Sequence, residues 1–202
     1  MARTIEIEPP HGPARAQLEL RPRPPGALVL GHGAGGGVEA PDILAAARAA
    51  AGLGWRVVRV EQPYRVAGCR APAPAPQLDA PWLAVVGRLR GAELAELRLV
   101  TGGRSSGGRV ACRTASATGA AGVLCLAFPL QPAGRPNAPS RLPELQAVDV
   151  PVLVVQGERD PFGMPPEAPG RTVARVAGDH GLRRDPAAVA EAVESWLERF
   201  LR

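Results

Sequence analysis

The sequence contains the glycine-rich stretch Gly102-Gly103-Arg104-Ser105-Ser106-Gly107-Gly108-Arg109. Within it, residues 103–107 follow the pattern G-x-S-x-G, in which a serine stands on a sharp turn between a strand and a helix. The turn closes only if the residues two positions before and after the serine are small, and glycine satisfies this demand. Because 24 of the 202 residues are glycine, the pattern also arises by chance, so its surroundings must support it.

The surroundings alternate between apolar strands and amphipathic helices. Two short strands of an antiparallel edge are predicted at 4–8 and 17–20. Further strands are predicted at 27–30, 55–60, 97–101, 123–128, 152–156 and 172–176. Helices are predicted at 40–51, 81–89, 106–117 and 185–200, and proline-rich loops at 62–81 and 129–143. This order predicts an α/β fold with a mostly parallel central sheet and helices on both faces. The length indicates one domain, residues 1–202, with no separate cap domain.

Candidate catalytic residues follow directly on predicted strands. Ligands of such sheets bind beyond the carboxyl ends of the strands, so Ser105, Asp160 and His180 should gather at one edge. A serine hydroxyl needs a base, and the base needs an acceptor that holds its tautomer. We expect His180 to be the base and Asp160 the acceptor, with Glu158 as the alternative acid. The chain order serine, acid, histidine is typical of this arrangement.

The other two histidines have simpler interpretations. His11 lies in a Pro-Pro-His-Gly segment near the start of the sequence and is expected to be a solvated loop residue. His32 stands in the glycine loop 31–37, where its side chain is expected to support the loop rather than transfer protons.

Backbone amides are expected to bind a developing oxyanion. The amide of Ser106 follows the nucleophile, and the loop 32–35 offers a second amide, for which we expect that of Ala34. Glycine loops before a helix also cradle phosphates, and Glu61 imitates a ribose-binding acid. The glycine loop lacks the Lys-Ser/Thr ending of a phosphate-binding P-loop, and a nucleotide-binding interpretation leaves Ser105, Asp160 and His180 unexplained.

Composition disfavours several other classes of protein. The net charge is +5, yet all 24 basic residues are arginine, they are scattered and interleaved with acidic residues, and aromatic residues make up only 3%. We therefore expect no nucleic-acid partner.

No apolar run reaches the 18 or so residues that span a bilayer, so a cytoplasmic protein without membrane contact is expected. The three cysteines have no C-x-x-C pair, which predicts neither disulfides nor a metal site, and Cys112 and Cys125 are expected to be buried.

Four segments in this order resemble the compact α/β-hydrolases related to dienelactone hydrolase. They are residues 28–36, 102–109, 157–163 and 178–180. The sequence is most similar to the hydrolase-like family that includes a testis-expressed protein and a subunit of a histone acetyltransferase complex, over roughly residues 15–202. The resemblance implies an α/β-hydrolase fold and a Ser-Asp-His triad on Ser105, Asp160 and His180. Relatives often carry Met where this sequence has Ser106. Dienelactone hydrolases use Cys as the nucleophile where this sequence has Ser, so the resemblance does not imply lactone hydrolysis.

Two functions are consistent with these observations. The first is a serine hydrolase that acts through an acyl-enzyme on small carboxylic esters or thioesters, with no metal or organic cofactor. The second is a non-catalytic binding or scaffold protein on the same fold. For the hydrolase, the proline-rich segments are expected to line a pocket for a small-molecule acyl substrate, with His32 and Tyr64 among its residues. Trp82 and Phe128 are more simply explained as core residues.

Overall fold

The computed structural model describes residues 2–69, 74–132, 134–135 and 137–201. Within these ranges, eight strands form one sheet in the order β1-β2-β4-β3-β5-β6-β7-β8. The strands are β1 (Ala2–Ile7), β2 (Ala14–Glu19), β3 (Ala27–Gly31), β4 (Arg56–Glu61), β5 (Leu99–Arg104), β6 (Gly122–Leu126), β7 (Val152–Gly157) and β8 (Arg171–Val176). The helices are α1 (Pro41–Gly52), α2 (Pro63–Val66), α3 (Ala75–Arg90), α4 (Ser106–Thr118), α5 (Leu142–Gln146) and α6 (Pro186–Leu197).

The pairing of the strands confirms the predicted sheet. β1 pairs antiparallel with β2, and β2 pairs antiparallel with β4. All pairings from β4 through β3, β5, β6 and β7 to β8 are parallel. Every residue of β3, β6 and β7 is buried, because these strands are covered on both faces and therefore read as continuous apolar runs.

Helices cover both faces of the sheet, as predicted. On one face, α1 and α6 pack together over a core that includes Leu30, Val57 and Trp196. On the other face, α3 and α4 pack together, and α3 places Leu78 and Trp82 in a second core. Among the described residues, no helix is both long and apolar enough to span a bilayer.

The proline-rich segment 62–81 was predicted to be a loop, and this prediction is wrong in two places. Residues 63–66 form the short helix α2, and α3 begins at Ala75 rather than near residue 81. Pro81 therefore lies inside α3, where it removes one backbone hydrogen bond. Burial of Leu78 and Trp82 against the sheet offsets that loss, which local proline content cannot indicate.

Two of the cysteines meet in the core beneath α4. Cys112 on α4 and Cys125 on β6 are both buried, as expected, and their sulfur atoms lie 3.5 Å apart. The hydrogen bond with Cys112 and complete burial raise the pKa of the Cys125 thiol well above its usual value. The Cys125 side chain therefore packs as a small apolar group in the protonated form.

Close backbone packing joins β5 and α4 to the end of β3. A Cβ atom added to Gly103 would lie 2.5 Å from the carbonyl oxygen of Gly31, and one added to Gly107 would lie 2.6 Å from the same oxygen. Real Cβ atoms do not approach backbone atoms so closely. Gly103 and Gly107, the two glycines of the G-x-S-x-G pattern, are therefore required, because both pack against the backbone of Gly31 at the end of β3.

We predict that Gly107→Ala destabilises the protein by about 2 kcal/mol or more, because the added methyl group must push the start of α4 away from Gly31. Chemical denaturation measures this loss as a lower midpoint at unchanged slope. Gly52→Ala is the matched control, because a Cβ atom there meets nothing within 4 Å. Equal stability of the two variants would show that the close approach does not constrain the fold.

Candidate active site

Ser105 occupies a strained turn between β5 and α4. Its φ of 50° and ψ of −111° are rarely adopted by residues other than glycine. Two backbone hydrogen bonds hold the turn: the Ser105 amide donates to Leu126 O at 2.8 Å, and the Arg109 amide donates to Ser105 O at 3.2 Å. Strain of this kind is typical of the nucleophile elbow that the sequence predicts, in which the turn presents a hydroxyl group above the strand ends.

The structure brings the three predicted catalytic side chains together. His180 Nε2 lies 3.0 Å from Ser105 Oγ, and His180 Nδ1 lies 2.9 Å from Asp160 Oδ2. An ionised carboxylate only accepts hydrogen bonds, so Nδ1 carries the proton and Nε2 is left to accept from the serine hydroxyl. The three side chains thus form a continuous chain of two hydrogen bonds, with the polarity that a general base requires.

Two further residues orient the Asp160 carboxylate. The Phe162 amide donates to Oδ1 at 2.9 Å, and Gln156 Nε2 donates to Oδ2 at 2.8 Å. Gln156 is completely buried and also reaches the carbonyl oxygens of Phe128 and Gly163, at 3.1 and 2.8 Å. Sequence reasoning missed this role, although a glutamine near the end of an otherwise apolar buried strand was a visible sign of it.

The aromatic ring of Phe162 packs against the imidazole of His180. The two ring centroids are 4.3 Å apart, and the planes are tilted by 40°. His180 is therefore restrained by Asp160 at one edge and by Phe162 on one face. Phe162 was not singled out from the sequence.

A cleft of about 310 Å³ opens beside Ser105. Its walls come from the glycine loop with Ala34, the start of α1, Phe162, and the turn that carries His180. Ala34, one of the two expected oxyanion residues, thus lies at the same cleft as the serine hydroxyl. Ser106, the other, is the first residue of α4, so its amide has no acceptor within the helix.

The side chains of Ser106, His32 and Tyr64 lie together outside the lining of this cleft. They line a separate cavity of only about 10 Å³, no larger than a water molecule. His32 and Tyr64 were predicted to line the substrate pocket, and the structure does not place them at the cleft beside Ser105. Trp82 and Phe128 are fully buried core residues, in line with the simpler expectation for both.

His32 supports the glycine loop through both ring nitrogens. Nε2 accepts from the Gln62 amide at 3.1 Å, so the ring proton is on Nδ1, which donates to Gly33 O at 2.9 Å. Burial lowers the pKa of His32 below its ordinary value of 6.5, against the opposing effects of the Gly33 hydrogen bond and Glu61. The neutral ring therefore fixes the backbone next to Ala34.

We predict that His32 makes the protein less stable in mild acid. Below about pH 6.5 the unfolded chain protonates this imidazole while the folded chain keeps it neutral, so the free energy of unfolding falls as the pH falls. Denaturation measured at several pH values between about 7.5 and 5 should show that the free energy of unfolding falls more steeply with falling pH for the wild type than for His32→Gln. Parallel curves would mean that His32 titrates normally in the folded protein.

Comparison with known proteins agrees with this fold. The sequence matches the family described as "Alpha/beta hydrolase domain" over residues 24–186. No curated protein matches it. Among solved structures, it is similar to a serine hydrolase without a lid from Xanthomonas campestris, with 22% identity and a TM-score of 0.76, covering 98% of this chain and 94% of the other.

Two further structures are similar over the whole length. Est1E from Butyrivibrio proteoclasticus is 16% identical, with a TM-score of 0.76 and coverage of 98% of both chains. Dienelactone hydrolase from Anabaena variabilis is 15% identical, with a TM-score of 0.77, covering 100% of this chain and 99% of the other. At these identities the likeness shows the fold alone. Together with the family match, it establishes that the chain belongs to the α/β-hydrolase family.

Proposed function

We propose that this protein is a serine hydrolase in which Ser105, His180 and Asp160 form the catalytic triad. The observation that carries the proposal is the chain of two hydrogen bonds, of 3.0 and 2.9 Å, that joins the three side chains on a strained elbow. A scaffold protein has no chemical need for two hydrogen bonds in this direction, from serine to histidine to aspartate, or for the strain at Ser105. The fold of the lidless serine hydrolase from Xanthomonas campestris supports the same interpretation.

In the first half of the reaction, His180 Nε2 takes the proton of Ser105 as Oγ attacks the acyl carbon. Asp160 stabilises the imidazolium that forms and keeps its ring in place. The amides of Ala34 and Ser106 bind the oxyanion, each contributing about 3 to 4 kcal/mol to the stability of the transition state. His180 then protonates the leaving group, and an acyl-enzyme remains on Ser105.

In the second half, water replaces the leaving group. His180 takes a proton from the water molecule, which attacks the acyl carbon, and the proton returns to Ser105 as the acid is released. All the groups needed for proton transfer and charge stabilisation come from the chain itself, so the mechanism uses no metal or organic cofactor.

The cleft indicates a small acyl substrate. Its volume of about 310 Å³ accommodates a small ester or thioester, and the small residues of the glycine loop leave the approach to Ser105 open. We place the substrate on the Phe162 side of the elbow, rather than beside His32 and Tyr64 as the sequence suggested.

We further propose that residues 1–202 act as one domain without a separate cap, in the cytoplasm. Within the α/β-hydrolases, the four motifs favour the hydrolase-like group of the testis-expressed protein and the histone acetyltransferase subunit. That group is also the reason to keep a second candidate function, a non-catalytic binding or scaffold protein.

Hydrolysis of p-nitrophenyl esters of increasing acyl length tests the proposal. We predict that Ser105→Ala lowers kcat by about 10⁴- to 10⁶-fold, as loss of a triad nucleophile does. Ser106→Ala keeps its amide and should retain most of the activity. Ser116→Ala, an exposed position on the same helix, is the matched control.

Other outcomes would favour a different conclusion. If Ser106→Ala is inactive while Ser105→Ala retains activity, the nucleophile is Ser106. If folded wild-type protein hydrolyses none of the esters and does not react with a fluorophosphonate, the scaffold function is favoured.

A further inference from the structure

We propose that Arg104, held by Asp42, is a positioning residue that fixes the proposed base His180 and the glycine loop 31–37 relative to Ser105. This inference rests on the proposed triad and extends it to a pair of residues outside the triad. Arg104 occupies the variable position before the serine in G-x-S-x-G, where the turn itself makes no demand for arginine. Three contacts of its guanidinium support the assignment.

The first contact is a buried ion pair with α1. Arg104 Nε lies 3.0 Å from Asp42 Oδ2, and the Asp42 side chain is completely buried while that of Arg104 is 14% exposed. Burial raises the pKa of the Asp42 carboxyl, and the charge of Arg104 opposes this effect. Because a buried carboxylate without its cation is costly, Asp42 keeps the guanidinium in the wall of the cleft instead of in solvent.

The second contact reaches the residue that carries the base. Arg104 Nη2 donates to the backbone oxygen of His180 at 3.1 Å. His180 lies in a tight turn between Gly178, with a φ of 125°, and Leu182, with a φ of 47°. The imidazole of His180 is held by Asp160, and its main chain is held by Arg104. Arg104, at the end of β5 next to the proposed nucleophile, therefore also anchors the backbone of His180, the proposed base.

The third contact is with the glycine loop. A Cβ atom added to Gly33 would lie 2.9 Å from Arg104 Nη1 and 3.4 Å from Ser105 Cβ. The guanidinium thus packs directly against the backbone that precedes Ala34. Through the Arg104 side chain, the elbow is connected to the glycine loop, to α1 and to the turn of His180.

These contacts have a kinetic consequence. A displacement of about 1 Å between reacting groups can lower a rate by about 100-fold, even when the chemical groups are intact. Lysine carries the same charge as arginine but lacks the planar fork of N–H donors, so it cannot hold Asp42 and His180 O in the same way. Arg104→Lys should therefore also lower the reaction rate of Ser105, although it retains the positive charge.

The test measures the rate of fluorophosphonate labelling per folded molecule, together with kcat and KM for p-nitrophenyl acetate. We predict that Arg104→Met and Arg104→Lys label about 100-fold more slowly than wild type, with lower kcat and little change in KM. The double variant Asp42→Asn/Arg104→Met removes both buried charges. It should be folded even if Arg104→Met is not, and should still label slowly.

Arg113→Met is the matched control, because Arg113 is similarly buried and pairs with Asp79 on α3 but does not line the cleft. It should lose stability and retain the wild-type labelling rate per folded molecule. Labelling of folded Arg104→Met or of the double variant within threefold of wild type would overturn the inference while leaving the triad intact. Absence of labelling in folded wild type would overturn the proposed hydrolase instead, and this inference with it.

Discussion

The close approach of three backbone segments at Gly31, Gly103 and Gly107 is the constraint on which the site depends. Because no side chain separates them, β3, β5 and α4 meet at van der Waals distance, and the chain can turn sharply at Ser105. The positive φ of Ser105 is the local cost of that turn, and hydrogen bonds to Leu126 and Arg109 hold it. A hydroxyl group is thereby presented at the edge of the sheet where parallel strands end.

Hydrogen bonds from other residues of the chain hold the polar groups around this elbow. Gln156 and the Phe162 amide orient the Asp160 carboxylate, and His32 fixes the backbone that leads to Ala34. Arg104 connects the elbow to the turn of His180. Each of these contacts acts on a different part of the candidate site. If the proposed hydrolase chemistry holds, its groups are oriented before a substrate binds, as electrostatic stabilisation of a transition state requires.

Much of the fold follows from the sequence, because continuous apolar runs and helical periodicity report burial directly. The parallel sheet, its antiparallel edge and the helices on both faces were predicted in this way. The positions of Ser105, Asp160 and His180 directly after predicted strands predicted that they lie at one edge. Proline content misled the prediction for the segment before residue 81, because tertiary burial of Leu78 and Trp82 overrides a local preference. The side of the elbow on which the cleft opens, and the roles of Gln156 and Arg104, depend on contacts between residues distant in sequence, which no local pattern contains.

The structure of the protein after reaction with a small phosphonate inhibitor tests the proposed chemistry most directly, because the adduct resembles the tetrahedral intermediate. The adduct should be bonded to Ser105 Oγ, with its anionic oxygen about 2.7–3.1 Å from the amides of Ala34 and Ser106. His180 should remain hydrogen-bonded to Asp160. An adduct on Ser106, or an anionic oxygen directed away from both amides, would contradict the assignment of the nucleophile and of the oxyanion site.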